Sequence, residues 1–263
     1  MKTIKNYLQF IKEEFYPNTT EQISNELSKI NSMIDYTLLE ESSTKEDILE
    51  LCKKADQLGV KSVCVLPKMV RIANEALRDS KVLVCTVVSF PHGTDTPEDK
   101  IQETEWVLSE GADEVDMVLN YPKLKEEENE VYDYLAEEIE SLVNLCHKET
   151  NKDGSPVTLK VIVESGLLTE EETKLATDIC LDAGADFIKT STGKVSQGAE
   201  LNKIKVMYDT IKEAGSNMKI KASGGVRDMS QINQFMPFVD RFGMGYGSVD
   251  KINNLTSSGN STY

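Results

Sequence analysis

Histidine is nearly missing from this chain of 263 residues, which has only His92 and His147. Protein zinc sites draw heavily on imidazole, so a metal centre has little to be built from. The five cysteines are odd in number, and none of them form a Cys-x-x-Cys pair. That excludes a disulfide framework and a thiolate zinc site, and it points to a reducing compartment. No apolar run approaches the ~20 residues of a membrane span, and the start Met1-Lys2-Thr3-Ile4-Lys5-Asn6 has no signal-peptide core. The expectation is a soluble cytoplasmic protein without a membrane partner. Positive charge is also scarce: 29 Lys and Arg face 45 Asp and Glu, a net charge of −16. Nucleic acid, which is bound by clustered cations, is therefore not an expected partner. Much of the acid excess lies in stretches such as Lys125-Glu126-Glu127-Glu128-Asn129-Glu130, which read as a solvated helix face or loop.

What the chain does have is a rhythm. Ile4, Tyr7, Leu8 and Ile11 share a helical stripe, as do Ile23, Leu27 and Ile30 after the break at Pro17. Thr19 with Gln22 suits a capping box for the second of these helices. From Met33 onward, short apolar runs alternate with amphipathic stretches, the pattern of βα units around a parallel sheet. Strands are predicted near Met33–Leu38, Lys61–Leu66, Val82–Ser89, Glu114–Leu119, Thr158–Glu164, Phe187–Lys189, Lys219–Ala222 and Arg241–Met244. Ser43 with Glu46 and Thr169 with Glu172 read as capping boxes, and Thr96-Pro97 as an N-cap with proline in the first turn. Helices stop at glycine in Leu58-Gly59-Val60 and in two Gly-Ala-Asp joints, 111–113 and 184–186, which hint at a repeated unit.

Strands spaced by roughly 30 residues predict an α/β fold, a (β/α)8 TIM barrel with an extra N-terminal helical segment. A doubly wound open sheet competes, but it places its ligand at a glycine-rich turn after an early strand. Here such turns follow the late strands, where barrels often hold phosphate. The expected division is a helical extension over 1–31, the barrel over 32–254 and a flexible tail over 255–263 rich in Ser, Thr, Asn and Gly.

Two lysines each close a short apolar strand ahead of a glycine- and hydroxyl-rich turn. They are Lys189 in Phe187-Ile188-Lys189-Thr190-Ser191-Thr192-Gly193-Lys194 and Lys221 in Lys219-Ile220-Lys221-Ala222-Ser223-Gly224-Gly225-Val226-Arg227. A cation at a buried strand end is costly unless paired or neutralised. Two of them together suggest a site where one ammonium discourages protonation of the other, which makes a nucleophilic amine. The turns offer backbone N–H groups beside Lys194 and Arg227, which suits a phosphate. Asp116 falls at a strand end that faces a barrel mouth. Lys160 alternates with Ile162 and Glu164 on one strand face, either inside the barrel or between sheet and helices, and an inward Asp116 would neutralise it. The alternative is that the two lysines snorkel outward or bind phosphate as plain charges.

These segments resemble those of the deoxyribose-phosphate aldolase family. The similarity is carried by the two lysine segments and Gly111-Ala112-Asp113-Glu114-Val115-Asp116, together with Asp35-Tyr36-Thr37-Leu38, Val63-Cys64-Val65-Leu66-Pro67 and Cys85-Thr86-Val87-Val88-Ser89-Phe90-Pro91-His92-Gly93. They occur in order from Met33 to Gly247. The resemblance implies reversible cleavage of 2-deoxy-D-ribose 5-phosphate to acetaldehyde and D-glyceraldehyde 3-phosphate, with no cofactor and no metal. It assigns the Schiff base to Lys189, support of that amine to Lys221, and acid/base work through water to Asp116. It places phosphate on backbone N–H groups of Gly193, Gly224, Gly225 and Gly245 near Lys194, with Arg227 equally suited to a surface or capping role. It sets Cys64 near the substrate, though a small buried core residue is the simpler role for it. It sets Asp35 and Thr37 near a substrate hydroxyl or in strand-end hydrogen bonds to a neighbouring loop, counts Lys160 among the substrate-side residues, and places Thr192 at the sugar or in its own turn. It also implies a proton-transfer role for a terminal tyrosine, here Tyr263, and a homodimer.

One departure is Gly243-Met244-Gly245-Tyr246-Gly247-Ser248, where the family has small hydroxyl residues. This Gly-x-Gly-x-Gly run comes too near the C-terminus to open a dinucleotide-binding βαβ unit. Three rivals remain at this level: a zinc-dependent aldolase, another Schiff-base barrel such as a transaldolase-like enzyme, and a phosphosugar-binding barrel without catalysis.

Overall fold

In a computed structural model, which describes residues 19–126 and 130–257, the alternation closes on itself. Helix α1 (Thr19–Asn31) precedes β1 (Ile34–Leu38), α2 (Lys45–Leu58), β2 (Ser62–Val65), α3 (Val70–Ala76), β3 (Leu83–Val88) and α4 (Pro97–Ser109). There follow β4 (Glu114–Val118), α5 (Val131–Cys146), β5 (Thr158–Ile162), α6 (Glu170–Asp182) and β6 (Phe187–Lys189). The series ends with α7 (Leu201–Glu213), β7 (Lys219–Ser223), α8 (Met229–Phe235), β8 (Arg241–Gly245) and α9 (Tyr246–Ser257). The strands pair in chain order, all parallel, and β8 returns to β1 to complete an eight-stranded barrel. An open sheet is thereby excluded. The stripe expected over Ile4–Ile11 and the terminal Tyr263 lie outside the described residues. Among the described residues no helix is long and apolar enough to cross a membrane.

Local chemistry explains where the elements begin. Thr96 caps α4 ahead of Pro97, and Thr169 with Glu172 closes both bonds of a capping box on α6. On α2 the box lies one residue later than expected. Thr44, not Ser43, is the cap, and the Asp47 side chain, not Glu46, answers it, with Thr44 N–H donating to Asp47 Oδ2 at 2.8 Å. The Gly-Ala-Asp joints do form a repeated device. Asp113 accepts the Val84 N–H at 2.8 Å and Asp186 the Leu159 N–H at 2.8 Å, while each aspartate's own N–H returns to the same residue's carbonyl. Asp240 does the same with Ile220 before β8. Each aspartate thus satisfies backbone groups at the start of the preceding strand and sets the register of the next one.

Alternation along the strands sorts the core into two compartments. Ile34, Tyr36, Val115, Met117, Ile188 and Phe242 pack outward with Leu51, Leu142, Ile179 and Ile204 of the helices. Inside the barrel, the side formed by β2 and β3 is a small apolar cluster of Leu39, Cys64, Leu66, Cys85 and Val87. The remaining strands fill the interior with charge, as described next.

Candidate active site

Strand register assembles the charged group. Asp116 of β4 lies beside Lys160 of β5, Lys189 of β6 beside Lys221 of β7, and Lys221 beside Arg241 of β8. Lys160, Asp116 and Lys221 are wholly enclosed, and Lys189 is 3 % exposed. Asp116 collects all three ammonium groups: its Oδ2 accepts from Lys189 Nζ at 2.6 Å and Lys221 Nζ at 2.6 Å, and its Oδ1 from Lys160 Nζ at 2.8 Å. The structure therefore brings Lys189, Lys221 and Asp116 together, and it resolves the two placements open for Lys160 in favour of the barrel interior.

A second tier lies beneath. Lys221 also pairs with Asp35, whose other oxygen accepts from Arg241 at 2.6 Å and from the Ser62 hydroxyl at 2.8 Å. Glu114 takes Lys160 at 2.8 Å and Arg241 at 3.1 Å. Burial by itself would raise the carboxyl of Asp116, but Lys160, Lys189 and Lys221 outweigh it and hold the group well below the usual carboxylate range. The same contest, won by Arg241, Lys221 and Lys160, lowers Asp35; Lys160 and Arg241 lower Glu114. Burial pushes Lys221 down, yet Asp116 and Asp35 together keep it above the ordinary lysine range, and Asp116, Glu114 and Asp35 do so for Lys160. All three acids are held charged, and so are the two lysines that each touch more than one of them.

A cavity of about 570 Å³ opens at the carboxyl ends of the strands, with Lys189 in its floor. Thr192, Gly193, Lys194, Gly224, Gly225 and Gly245 line it, as do Arg227 and Lys251. Of these, Lys251 alone carried no expectation from sequence. Gly224 has φ +81°, and a Cβ there would lie 2.9 Å from Ser191 Cβ and 3.1 Å from Gly198 Cα. Only glycine fits both the backbone and the crowding. The Lys194 ammonium reaches across the mouth to the Leu39 carbonyl at 3.0 Å.

Two residues expected on the substrate side, Asp35 and Lys160, lie away from the cavity, and Cys64 takes the core role that was its simpler reading. Asp35 and Lys160 are sealed below the cavity within the ion network, because the inward positions they occupy lie a layer beneath the strand ends. Cys64 packs in the apolar cluster on β2 and β3. Thr37, offered with Asp35, does line the cavity. Four functional candidates were not anticipated: Glu114, Arg241, Cys85 and Glu164. The Cys85 thiol lies 3.2 Å from Asp116 Oδ1. Glu164 follows β5 with φ +51°, and its buried carboxylate accepts from the Thr192 N–H at 3.2 Å and the Thr192 hydroxyl at 2.6 Å. Thr192 therefore holds its turn, with its proton committed to Glu164 and its oxygen beside the cavity. A charged residue at either end of an otherwise apolar run was the available signal for Glu114, Arg241 and Glu164.

Two trios of buried donors, Cys64–Cys85–Asp116 and Asp35–Cys85–Glu114, have ligand atoms within 4.8 Å of one another. Every carboxylate in them is already engaged by lysine or arginine, so a cation there would face the Lys160 ammonium at close range.

A sequence model described as DeoC/LacD family aldolase matches residues 30–238. A deoxyribose-phosphate aldolase from Mycoplasmoides pirum is 41 % identical over 206 residues, 78 % of this chain and 88 % of that protein. One from Halalkalibacterium halodurans is 44 % identical over 202 residues, 76 % of this chain and 84 % of its own length. Among solved structures, the deoxyribose phosphate aldolase of Aeropyrum pernix superposes with a TM-score of 0.74 at 26 % identity, covering 92 % of this chain and 97 % of that one.

Proposed function

The chain belongs to the DeoC/LacD family of aldolases, and from that membership we propose that it cleaves 2-deoxy-D-ribose 5-phosphate reversibly to acetaldehyde and D-glyceraldehyde 3-phosphate through a Schiff base on Lys189. The Lys189 nitrogen attacks the C1 carbonyl, and loss of water leaves an iminium. As the C3 hydroxyl loses its proton, the C2–C3 electron pair flows into that iminium, which releases glyceraldehyde 3-phosphate and leaves an enamine. Protonation at C2 and hydrolysis then free acetaldehyde and restore the amine.

The observation that carries this reading is the shared Asp116 oxygen, 2.6 Å from both Lys189 and Lys221. A carboxylate in contact with the attacking nitrogen and with a second ammonium is placed to relay protons through a water as the carbinolamine forms and collapses. Lys189 is preferred over Lys221 and Lys160 on access and on charge. It alone of the three lines the cavity, and among these carboxylates it pairs only with Asp116. Counted together, Lys160, Lys189, Lys221 and Arg241 exceed Asp35, Glu114 and Asp116 by one positive charge. The phosphate is assigned to the glycine turns at Gly193, Gly224, Gly225 and Gly245, helped by Lys194 and Arg227.

Residues 32–254 are taken as the catalytic barrel. A homodimer is the expected assembly; the Aeropyrum pernix relative is described as tetrameric, and light scattering distinguishes the two. The direct test of function is release of acetaldehyde from 2-deoxyribose 5-phosphate with and without a chelator. Chelator-insensitive turnover is expected. Binding without turnover would instead mark a phosphosugar-binding barrel, and cleavage of ketose phosphates but not of this aldose would mark a transaldolase-like enzyme.

A further inference from the structure

Arg241 and Glu114 open β8 and β4, 127 residues apart in sequence, and meet inside the barrel below Asp116. Neither lines the cavity and neither pairs with Lys189. We propose that Arg241 and Glu114 are positioning residues that set, from beneath the site, the charge balance on which the Lys189 amine depends. This rests on Lys189 being the nucleophile.

Two ionic relays lead upward from the Arg241 guanidinium. One runs through Asp35 to Lys221 and on to Asp116; the other runs through Glu114 and Lys160 to the opposite oxygen of Asp116. Both converge on the one carboxylate that Lys189 touches. Within these two relays four cations, Lys160, Lys189, Lys221 and Arg241, face three carboxylates, Asp35, Glu114 and Asp116. Lys160 and Lys221 each contact at least two carboxylates, and a guanidinium does not deprotonate. Lys189, paired with Asp116 alone among these carboxylates, is the cation with the least compensation when the charge beneath it changes. Among the described residues, the other titratable groups within the barrel are Cys64 of β2, Cys85 of β3 and Glu164 just past β5, and Glu40, Lys194, Arg227, Tyr246 and Lys251 line the cavity above. Burial pushes the Glu164 carboxyl up, against the Thr192 hydrogen bonds that lower it; burial and the Cys64 hydrogen bond hold Cys85 well above the ordinary thiol range, and the hydrogen bond with Cys85 lowers Cys64.

The signs are opposite for the two residues. Arg241→Met removes a cation, leaving the network neutral with Lys189 charged, so the amine is harder to free. Glu114→Gln removes an anion, leaving a larger positive excess, so the amine is easier to free. Across roughly ten ångströms at an effective dielectric near 20, one unit charge moves a titration by about one pH unit.

The experiment is the pH profile of kcat/KM for 2-deoxyribose 5-phosphate cleavage. In R241M the acid limb moves about one unit to higher pH; in E114Q it moves by a similar amount to lower pH. R241K keeps the charge and leaves the limb where the unaltered protein has it, and the double variant E114Q/R241M returns it there. Loss of activity in folded variants with the limb fixed, or moved the same way in both, overturns the proposal. If R241M does not fold, E114Q and R241K decide: an unmoved limb in E114Q is fatal. Failure of the unaltered protein to form an aldehyde adduct on Lys189 would instead overturn the reading beneath.

Discussion

Replacing Gly243 by alanine tests how tightly the Lys221 ammonium is placed. Gly243 lies on β8 beside Ser223 of β7. A Cβ added there would fall 2.8 Å from Ser223 Cβ and 3.0 Å from Lys221 Cε. Carbon atoms prefer about 3.5–4.0 Å, so the lysine chain must retreat by roughly half an ångström to one ångström. Its Nζ now lies 2.6 Å from Asp116 Oδ2, and Ser223 Cβ belongs to a neighbouring strand that yields little. Overpacking of this kind costs about 1–3 kcal/mol of stability. A misplacement near 1 Å costs up to about 10²-fold in rate. The expected result is a folded G243A protein whose kcat is about tenfold to a hundredfold lower, with KM changed far less. Acetaldehyde release coupled to alcohol dehydrogenase measures both constants. Gly245 provides the control, since a Cβ there meets nothing within 4 Å. G245A should fold normally and keep kcat, with any loss appearing in KM because the residue faces the cavity. A folded G243A with kcat within about twofold of the unaltered protein would refute the placement of Lys221 and its assigned role.

Two further outcomes concern stability. Lys100 is fully buried and donates to the carbonyls of Gly93 and Val118, at 2.8 and 2.9 Å, and to Glu138 at 2.7 Å. K100M leaves the enclosed Glu138 carboxylate without its cation and should cost about 3–5 kcal/mol in urea unfolding, with K100M/E138L recovering part of it; a single-variant cost under about 1 kcal/mol contradicts this. Acid should act through the carboxylates whose folded values are depressed. Despite burial, Asp35, Glu114 and Asp116 sit lower when folded than when unfolded, so their contribution is present above about pH 4 and is lost as the pH falls through the folded values. The urea midpoints of the unaltered protein and D35N should therefore differ at neutral pH and converge below about pH 4, and a gap that widens in acid is the contrary result.

The barrel was legible because its signals are local. Phe187–Lys189 matches its expected bounds, the first five strands are shorter by a residue or two at one or both ends, β7 and β8 run one residue further, and the Gly-Ala-Asp joints recur for a reason visible in their hydrogen bonds. The capping box of α2 is ambiguous by one residue in the sequence, because the adjacent hydroxyls of Ser43 and Thr44 and the adjacent acids Glu46 and Asp47 satisfy the same pattern in two registers. In the site, Lys189, Lys221 and Asp116 stood out as charges in apolar strands and do meet. Depth did not show. Alternation says that Asp35 and Lys160 point inward, but only the stagger of closed strands says that they lie under the cavity rather than in it. Arg241 and Glu114 were overlooked for a related reason: their partners come from strands far away in the chain, and nothing near either residue announces the pairing.

Reduction with borohydride in the presence of acetaldehyde, followed by peptide mass mapping, addresses the covalent amine itself. A Schiff base at the cavity floor requires a two-carbon adduct on Lys189, absent from K189R. An adduct found solely on Lys221 or Lys160, or none on a protein that still turns over 2-deoxyribose 5-phosphate, would contradict it.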